Sequence, residues 1–137
     1  MNLKKLLLLP IGLIVSAAGC AGIGPNATYY MGTTSFHYDP SYNTYMVKLN
    51  GSEIGSGGMN TSAVKLGPQE IKWEESNSDK FHQAKNQVTL TKDDLKGMKY
   101  LAVHIYPDDT VEISTSNAWP SPKEKGLKWL EQLKNKK

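Results

Sequence analysis

The 137-residue chain contains no arginine, since all 16 of its basic residues are lysines. Arginine is the side chain that most often reads phosphate groups and guanine edges through paired hydrogen bonds. Its absence argues against nucleic-acid binding, although the pI of about 8.9 is basic. Cys20 is the only cysteine, which excludes a scaffold held together by internal disulfides.

The sequence is also poor in the motifs of metal and catalytic sites. His37, His82 and His104 lie 45 and 22 residues apart, which is not the spacing of a zinc site. Ser56 has no glycine two residues before it, as a nucleophile elbow requires, and its glycine-rich segment lacks the lysine of a phosphate-binding loop. We therefore expect no enzymatic activity, no metal site and no cofactor.

One catalytic alternative stays open around His104. This residue lies on the second face of a strand-like segment, where we expect a partly exposed side chain. Asp108 and Ser114 follow it closely in the sequence. A weak hydrolase would use His104 with one of these two residues.

Charge is unevenly distributed along the chain. Residues 20–122 hold eight lysines and eleven acidic residues, a formal charge of −3, whereas residues 123–137 hold six lysines and two glutamates, a formal charge of +4. The hydrophobic fraction of 39% and the charged fraction of 21% are those of an ordinary globular protein. The sequence therefore predicts an acidic folded body followed by a basic tail.

Residues 1–19 have the pattern of a secretory signal peptide. Lys4 and Lys5 precede the apolar segment Leu6–Val15, and small residues follow it. This segment is too short to span a bilayer core of about 30 Å, and no later segment is longer. We expect an exported chain without a transmembrane helix.

The small residues directly before Cys20 resemble a bacterial lipoprotein box. In such boxes the cysteine becomes the first residue of the mature chain and carries fatty acyl chains such as palmitate, which anchor the protein durably. Ala21 follows Cys20, and by resemblance to enterobacterial lipoprotein sorting this implies the outer membrane, with the domain facing the periplasm. Residues 20–28 contain glycine and proline and almost no charge, which predicts a lipidated tether.

Residues 29–137 are predicted to form one domain of the mainly β (α+β) class. We expect a small antiparallel sheet or sandwich with one C-terminal amphipathic helix. From Tyr45 to Leu49 large apolar residues alternate with others as in a half-buried strand, and Lys99–Tyr106 is the most strand-like segment.

Local motifs predict three turns. Asn50-Gly51 is a strong hairpin signal, because both residues tolerate a positive φ. Thr91, followed three residues later by Asp94, predicts the N-cap of a single helical turn. Asp108-Asp109 has the chemistry of an exposed hairpin tip.

The C-terminal helix is predicted over residues 122–135. Ser121 fits the N-cap, Pro122 fits the first helical position, and Glu124 completes the capping box. The apolar stripe expected to pack on the sheet consists of Leu127, Leu130 and Leu133.

Aromatic residues are concentrated near the start of the mature chain. Six rings occur within seventeen residues, and polar residues separate many of them. This composition is typical of recognition surfaces, but the rings would equally form one wall of a small core. Trp119 is either a plug under the helix or an exposed anchor. The six rings are Tyr29, Tyr30, Phe36, Tyr38, Tyr42 and Tyr45.

The order of several segments is similar to a family of small Gram-negative lipoproteins that carry a domain of unknown function. Some members of this family are immunity proteins against type VI secretion phospholipase effectors. The resemblance covers about residues 30–120 and implies a non-catalytic protein. The segments that carry it are the Cys20 box, Gly32–Tyr38, Val47–Gly51, Gly55–Gly58, Leu101–Asp108 and Val111–Ser114.

Export, the lipoprotein box and the resemblance together predict an outer-membrane immunity lipoprotein. Its partner would be a secreted lipase toxin whose active site it occludes, and it would be attached to the membrane through its N-terminal lipid. The alternative is a housekeeping envelope lipoprotein that binds another outer-membrane component. The predicted partner contacts, chosen from turns and aromatic residues, are Tyr38, Tyr42, Asn50, Ser52, Glu53, Asp108, Asp109 and Trp119.

Overall fold

The computed structural model describes residues 27–136, so Cys20 and the predicted signal peptide lie outside the described residues. The described chain is mainly β, as predicted, and β1 begins at Thr28, the last residue of the predicted tether. Its strands are β1 (Thr28–His37), β2 (Thr44–Leu49), β3 (Ser52–Glu53), β4 (Asn60–Lys65), β5 (Gly67–Gln69), β6 (Ile71–Glu75), β7 (Phe81–Gln83), β8 (Val88–Leu90), β9 (Tyr100–Ile105) and β10 (Val111–Ser116). Its helices are α1 (Lys92–Leu95) and α2 (Glu124–Lys134).

Two four-stranded sheets form the body of the domain. The first has the strand order β10-β9-β1-β4 and the second the order β3-β2-β6-β7, while β5 pairs with β8. Neighbouring strands are antiparallel with one exception, since β1 and β9 run parallel with Gly32 opposite Tyr100. The predicted antiparallel pairing is wrong for this pair, because no local signal joins strands so far apart in sequence.

Both sheets contribute side chains to one apolar core, which makes the domain a sandwich. The open edges of the sandwich are bridged by side chains. On one side the Ser62 hydroxyl donates to the Glu53 carbonyl at 3.0 Å. On the other side Asn86 donates to the Val111 carbonyl at 2.9 Å and accepts from the Val111 N–H at 2.8 Å. The core includes Met31, Val47, Leu49, Val64, Ile71, Trp73, Leu101, Val103 and Ile105.

Two of the predicted local motifs are confirmed. Asn50 and Gly51 have φ values of 51° and 85° and connect β2 to β3. The Thr91 side chain accepts from the Asp94 N–H while the Asp94 carboxylate accepts from the Thr91 N–H, so the capping box of α1 is complete.

The predicted alternation along β2 fails at Tyr45. Val47 and Leu49 are buried, but Tyr45 is 55% exposed. The register of β2 against β6 shifts between Tyr45 and Lys48, and Met46 has a φ of 51°. The bulge adds one residue to β2. Residues before it therefore face the opposite side of the sheet from the one that a regular alternation predicts.

Helix α2 begins two residues later than predicted and lacks the expected N-cap. Its cap position is Lys123, which makes no side-chain capping bond. The Lys123 N–H instead donates to the hydroxyl of Tyr38 at 2.9 Å. The Ser121 and Pro122 prediction is therefore wrong, because a side chain distant in sequence satisfies the N-terminal donor.

The leucine stripe of α2 is not its main packing face. Leu127 is 47% exposed, and Leu130 and Leu133 are half-buried. Gly126 is the buried residue of the helix and packs on the Tyr38 ring. The adjacent Trp129 stacks on Tyr106 with ring centroids 5.9 Å apart.

Strand β9 is buried on both faces. Leu101, Val103 and Ile105 face the core, and His104 on the other face is 0% exposed. The expectation of a partly exposed His104 is wrong, because Tyr38 and the first turns of α2 cover this face.

Candidate functional site

One end of the sandwich carries a group of carboxylates. Strands β1 and β9 end there and β10 begins there, and the Tyr38 N–H donates to the Ile105 carbonyl at 3.0 Å. His82 also joins β6 to the β9–β10 turn at this end, as described below. We call this region the carboxylate end and define it by Asp39, Glu75, Asp108, Asp109 and Glu112.

The opposite end carries lysines. Lys65 ends β4 opposite Thr28, and Lys99 donates its N–H to the Ser116 carbonyl at 3.1 Å. Helix α1 is held there because the Thr115 hydroxyl donates to the Asp94 carbonyl at 2.8 Å. We call this region the lysine end and define it by four exposed lysines, Lys65, Lys92, Lys96 and Lys99.

His82 is the centre of the carboxylate end. Its Nδ1 lies 2.8 Å from Asp109 Oδ2 and its Nε2 lies 2.8 Å from Glu75 Oε2. The imidazole stacks on Tyr42 at 5.0 Å and on Trp73 at 5.4 Å. We call these five residues the His82 cluster.

The His82 cluster favours a protonated imidazole. Burial lowers the pKa of His82, but the hydrogen bonds to Asp109 and Glu75 outweigh this effect, so its pKa is raised. Trp73 Nε1 donates to the Tyr42 hydroxyl at 2.9 Å, and burial raises the pKa of Tyr42 to about 12. The cluster therefore fixes the β9–β10 turn to β6 and β7 through charge-assisted bonds.

A second polar network lies beneath α2 around His104. The Tyr38 hydroxyl is 2.8 Å from His104 Nδ1, and His104 Nε2 is 2.9 Å from Ser114 Oγ. Burial lowers the pKa of His104 to about 4, with a further lowering by Lys123. At neutral pH the ring is uncharged and has one donor and one acceptor nitrogen.

The hydrogen bonds assign one tautomer to His104. The Tyr38 hydroxyl already accepts from the Lys123 N–H, so its own proton is available for His104 Nδ1. His104 Nε2 then carries the ring proton and donates to Ser114. In this tautomer Nε2 cannot take a proton from Ser114, so the pair lacks the base that a serine nucleophile needs. Asp108, the other residue weighed for catalysis, accepts hydrogen bonds from Thr110 at the tip of its turn, and no hydrogen bond joins it to His104 among residues 27–136.

A groove of about 490 Å³ lies beside the carboxylate end, between α2 and the Asp39–Thr44 segment. Phe36, His37 and Leu130 are among the residues that line it. His37 Nε2 is buried and has no hydrogen-bond partner among the described residues. Burial also lowers the pKa of His37, so the groove contains an uncharged ring with an unused polar atom.

Four of the predicted contact residues lie at the carboxylate end. Asp108 is exposed, and its Oδ1 accepts from the N–H and the hydroxyl of Thr110. Asp109 is bonded to His82 rather than pointing into solvent, and its φ of 67° is unusual for a residue other than glycine. Tyr42 is half-buried in the His82 cluster. Tyr38 is only 2% exposed, so its predicted place on the surface is wrong.

The remaining predicted contacts lie elsewhere. Asn50 is exposed at its hairpin, where it donates to Gln69 at 2.8 Å and accepts from the Glu70 N–H at 2.7 Å. Ser52 and Glu53 form the edge strand β3. The exposed Trp119 stacks at a tilt on Tyr100, at the other end of β9 from Asp108. Of its two interpretations, the buried plug is therefore wrong.

No sequence pattern predicts the His82 cluster. Its members come from four segments of the chain, and neither Glu75 nor His82 belongs to a recognisable motif. The one signal was the acidic pair at Asp108-Asp109, which was interpreted as pointing into water. Only the folded chain brings the second aspartate to the imidazole.

The described residues give two further findings. Residues 27–136 contain no group of three or more His, Cys, Asp or Glu side chains arranged to hold a metal ion. In the same range no helix is both long and apolar enough to cross a membrane.

Comparisons with protein families, with curated proteins and with solved structures find no match to this chain.

Proposed function

We propose that the protein is a non-enzymatic immunity lipoprotein that binds a type VI secretion phospholipase and occludes its active site. In this proposal Cys20 is acylated and holds the protein on the outer membrane, facing the periplasm. The observation that carries the proposal is the carboxylate end, where several acidic turns are fixed in place beside an open groove.

The carboxylate end has the rigidity that a binding surface needs. Asp108 closes its own turn by bonding Thr110, and Asp39 does the same by accepting from the Ser41 N–H and hydroxyl at 2.9 and 2.7 Å. The His82 cluster fixes the neighbouring Asp109. Turns that are ordered before binding lose little conformational entropy on association, which favours affinity.

The fixed carboxylates of Asp39 and Asp108 favour contact with basic groups on a partner. Lys125 near Glu112 and Lys134 in the groove add positive charge beside them. Complementary charge speeds association and selects against wrong partners. The groove next to it, lined in part by Phe36, His37 and Leu130, offers space for an inserted side chain. A lipase mouth bordered by lysine or arginine would meet both features at once.

Lipidation fits the same function. Tethering holds an inhibitor at the membrane that a phospholipase attacks and raises its effective concentration there.

The hydrogen bonds of His104 and Ser114 are consistent with a structural role for both residues, because the assigned tautomer of His104 leaves Ser114 without a base.

Capture of the partner tests the proposal. The tagged protein, produced with its own signal sequence, is purified from membranes after mixing with the secretions of the producing strain, and retained proteins are identified by mass spectrometry. We expect one secreted lipase in near-equal amount, with its activity lost in the complex. Recovery of resident envelope proteins alone contradicts the proposal and supports the housekeeping alternative.

Charge-neutralising variants locate the surface. Asp39→Asn and Asp108→Asn keep the side-chain oxygen that closes each turn and remove the charge, so the fold should be unchanged. We expect the double variant to bind the lipase at least about tenfold more weakly, since charge pairs at interfaces contribute about 1.5 kcal/mol or more. The matched control is Asp93→Asn at the lysine end. Equal affinity of the wild type, the double variant and Asp93→Asn for the lipase contradicts the proposed surface.

A further inference from the structure

Three aromatic rings lie together at the lysine end. Tyr30 and Gly32 lie on the same face of β1. The ring of Tyr100 covers Gly32, since a Cβ added to Gly32 would lie 2.9 Å from Tyr100 Cδ1. Trp119 lies beside Tyr100 with ring centroids 5.6 Å apart. Tyr30 is 72% exposed and Trp119 is 67% exposed. We call Tyr30, Tyr100 and Trp119 the aromatic patch.

The same face of the sheet is covered at the carboxylate end but not at the aromatic patch. Helix α2 packs on Tyr38 and Tyr106 through Gly126 and Trp129. These contacts lie beyond the ends of β1 and β9, whereas the aromatic patch lies near their beginnings. The face is therefore divided between a buried half and an exposed aromatic half.

Two lysines border the aromatic patch. Lys65 pairs with Thr28 on β1, two residues from Tyr30, and Lys99 immediately precedes Tyr100. The four lysines of the lysine end are accompanied on α1 by two acidic residues, Asp93 and Asp94, so this end has a formal charge of +2. Tyrosine and tryptophan rings prefer the interfacial region of a bilayer, and nearby lysines are attracted to anionic lipids.

The chain enters the fold at this same end. The described residues begin at Ala27, one residue before β1. Six residues lie between Cys20 and Ala27, so even a fully extended chain spans at most about 25 Å over the seven steps between them. A lipid on Cys20 would hold the lysine end close to the bilayer surface.

From these observations we infer that the lysine end is a membrane-contact surface, with Tyr30 and Trp119 in the interfacial region of a phospholipid bilayer and its lysines against anionic headgroups. This inference rests on the anchoring part of the proposed function. It adds an orientation, because the carboxylate end then faces away from the membrane. Strand β1 spans about 33 Å at the usual rise per residue, which is the greatest distance that it can place between the lysine end and the carboxylate end.

Tryptophan quenching tests this orientation in the intact lipoprotein. The protein is purified from membranes and reconstituted into vesicles of phosphatidylethanolamine with phosphatidylglycerol, with and without bromine atoms near the headgroups. The difference between the wild type and Trp119→Phe isolates the emission of Trp119, because Trp73 and Trp129 remain in both. We expect brominated lipid to remove most of the Trp119 emission.

A matched control places a tryptophan on the opposite sheet. Phe81 is 73% exposed on β7, on the outer face of the second sheet. In the double variant Trp119→Phe/Phe81→Trp, we expect the introduced ring to be unaffected by brominated lipid and open to quenching by aqueous iodide. Replacing phosphatidylglycerol by phosphatidylcholine should weaken the quenching of Trp119.

Three results overturn the inference, and they are distinguishable. Protein that stays in the aqueous fraction shows that the anchor itself is absent, so the proposed anchoring fails as well. Protein that is retained by vesicles while Trp119 is unquenched overturns the orientation alone. Iodide protection of Trp119 that needs added envelope proteins also overturns it and identifies a protein partner for the patch.

Discussion

The stability of the protein should fall as the pH rises above about 6.5, and His82 should be the cause. The raised pKa of His82 means that the folded protein holds a proton that the unfolded chain releases. The stabilisation by protonated His82 is complete below the unfolded pKa of about 6.5. It is lost as the pH rises through the folded pKa.

The size of the effect follows from the His82 cluster. A protonated ring donates to Asp109 and to Glu75, both at 2.8 Å, whereas a neutral ring donates to only one of them. The unfolding free energy should decrease by at most about 1.4 kcal/mol per pH unit in this window. Loss of both charge-assisted bonds in His82→Gln should cost about 3 kcal/mol at pH 6.

Urea unfolding followed by tryptophan fluorescence between pH 6 and 8.5 measures both quantities. The wild type should lose stability across this range, and His82→Gln should show a much flatter profile. The control is His37→Gln, which should keep the wild-type slope because the pKa of His37 is lowered. An unchanged slope in His82→Gln would refute the assignment.

Three further predictions concern α2 and the network beneath it. Gly126→Ala should destabilise by about 1–3 kcal/mol in urea unfolding, because its Cβ would lie 2.5 Å from Tyr38 ring atoms; Gly58→Ala, in open space, should change little. Ser114→Ala should cost about 1–2 kcal/mol by leaving the His104 Nε2–H unpaired; loss of protective function at unchanged stability would instead favour catalysis. Lowering the pH from 6.5 to 4 should remove about 3 kcal/mol, since His104 must stay neutral in the fold but charges on unfolding; an unchanged midpoint in acid urea titrations would contradict this.

Local motifs allowed some of the fold to be predicted from sequence. The Asn50-Gly51 hairpin and the Thr91 capping box each depend on residues within four positions of one another, so the sequence is sufficient. Lys99–Tyr106 was recognised as a strand because its apolar residues alternate with a period of two.

The features that the sequence did not predict depend on distant residues. Thr33 and Ser35 are buried in β1 because their hydroxyls bond Ser62 at 2.8 Å and the Gly55 carbonyl at 2.7 Å, and neither partner is near in sequence. Helix α2 begins later than predicted because the hydroxyl of Tyr38, 85 residues before Lys123, accepts the hydrogen bond of the Lys123 N–H.

The candidate site was predicted only in part. Asp108 and Asp109 were recognised as the tip of a turn, and this turn does lie at the carboxylate end. Tyr38 was selected as an aromatic contact, but the ring is enclosed by Gly126 and His104. An aromatic-rich segment does not reveal which rings face solvent, since the strand register and the covering helix decide this.

Bacterial competition tests the central claim, which is protection against a secreted phospholipase. A strain lacking this gene is grown in contact with the parent strain, which the proposal predicts to secrete the phospholipase. We predict that the deletion strain is killed, that the wild-type gene and Asp93→Asn restore survival, and that Asp39→Asn/Asp108→Asn restores it poorly at equal protein level. Full survival of the deletion strain beside its armed parent would contradict the account.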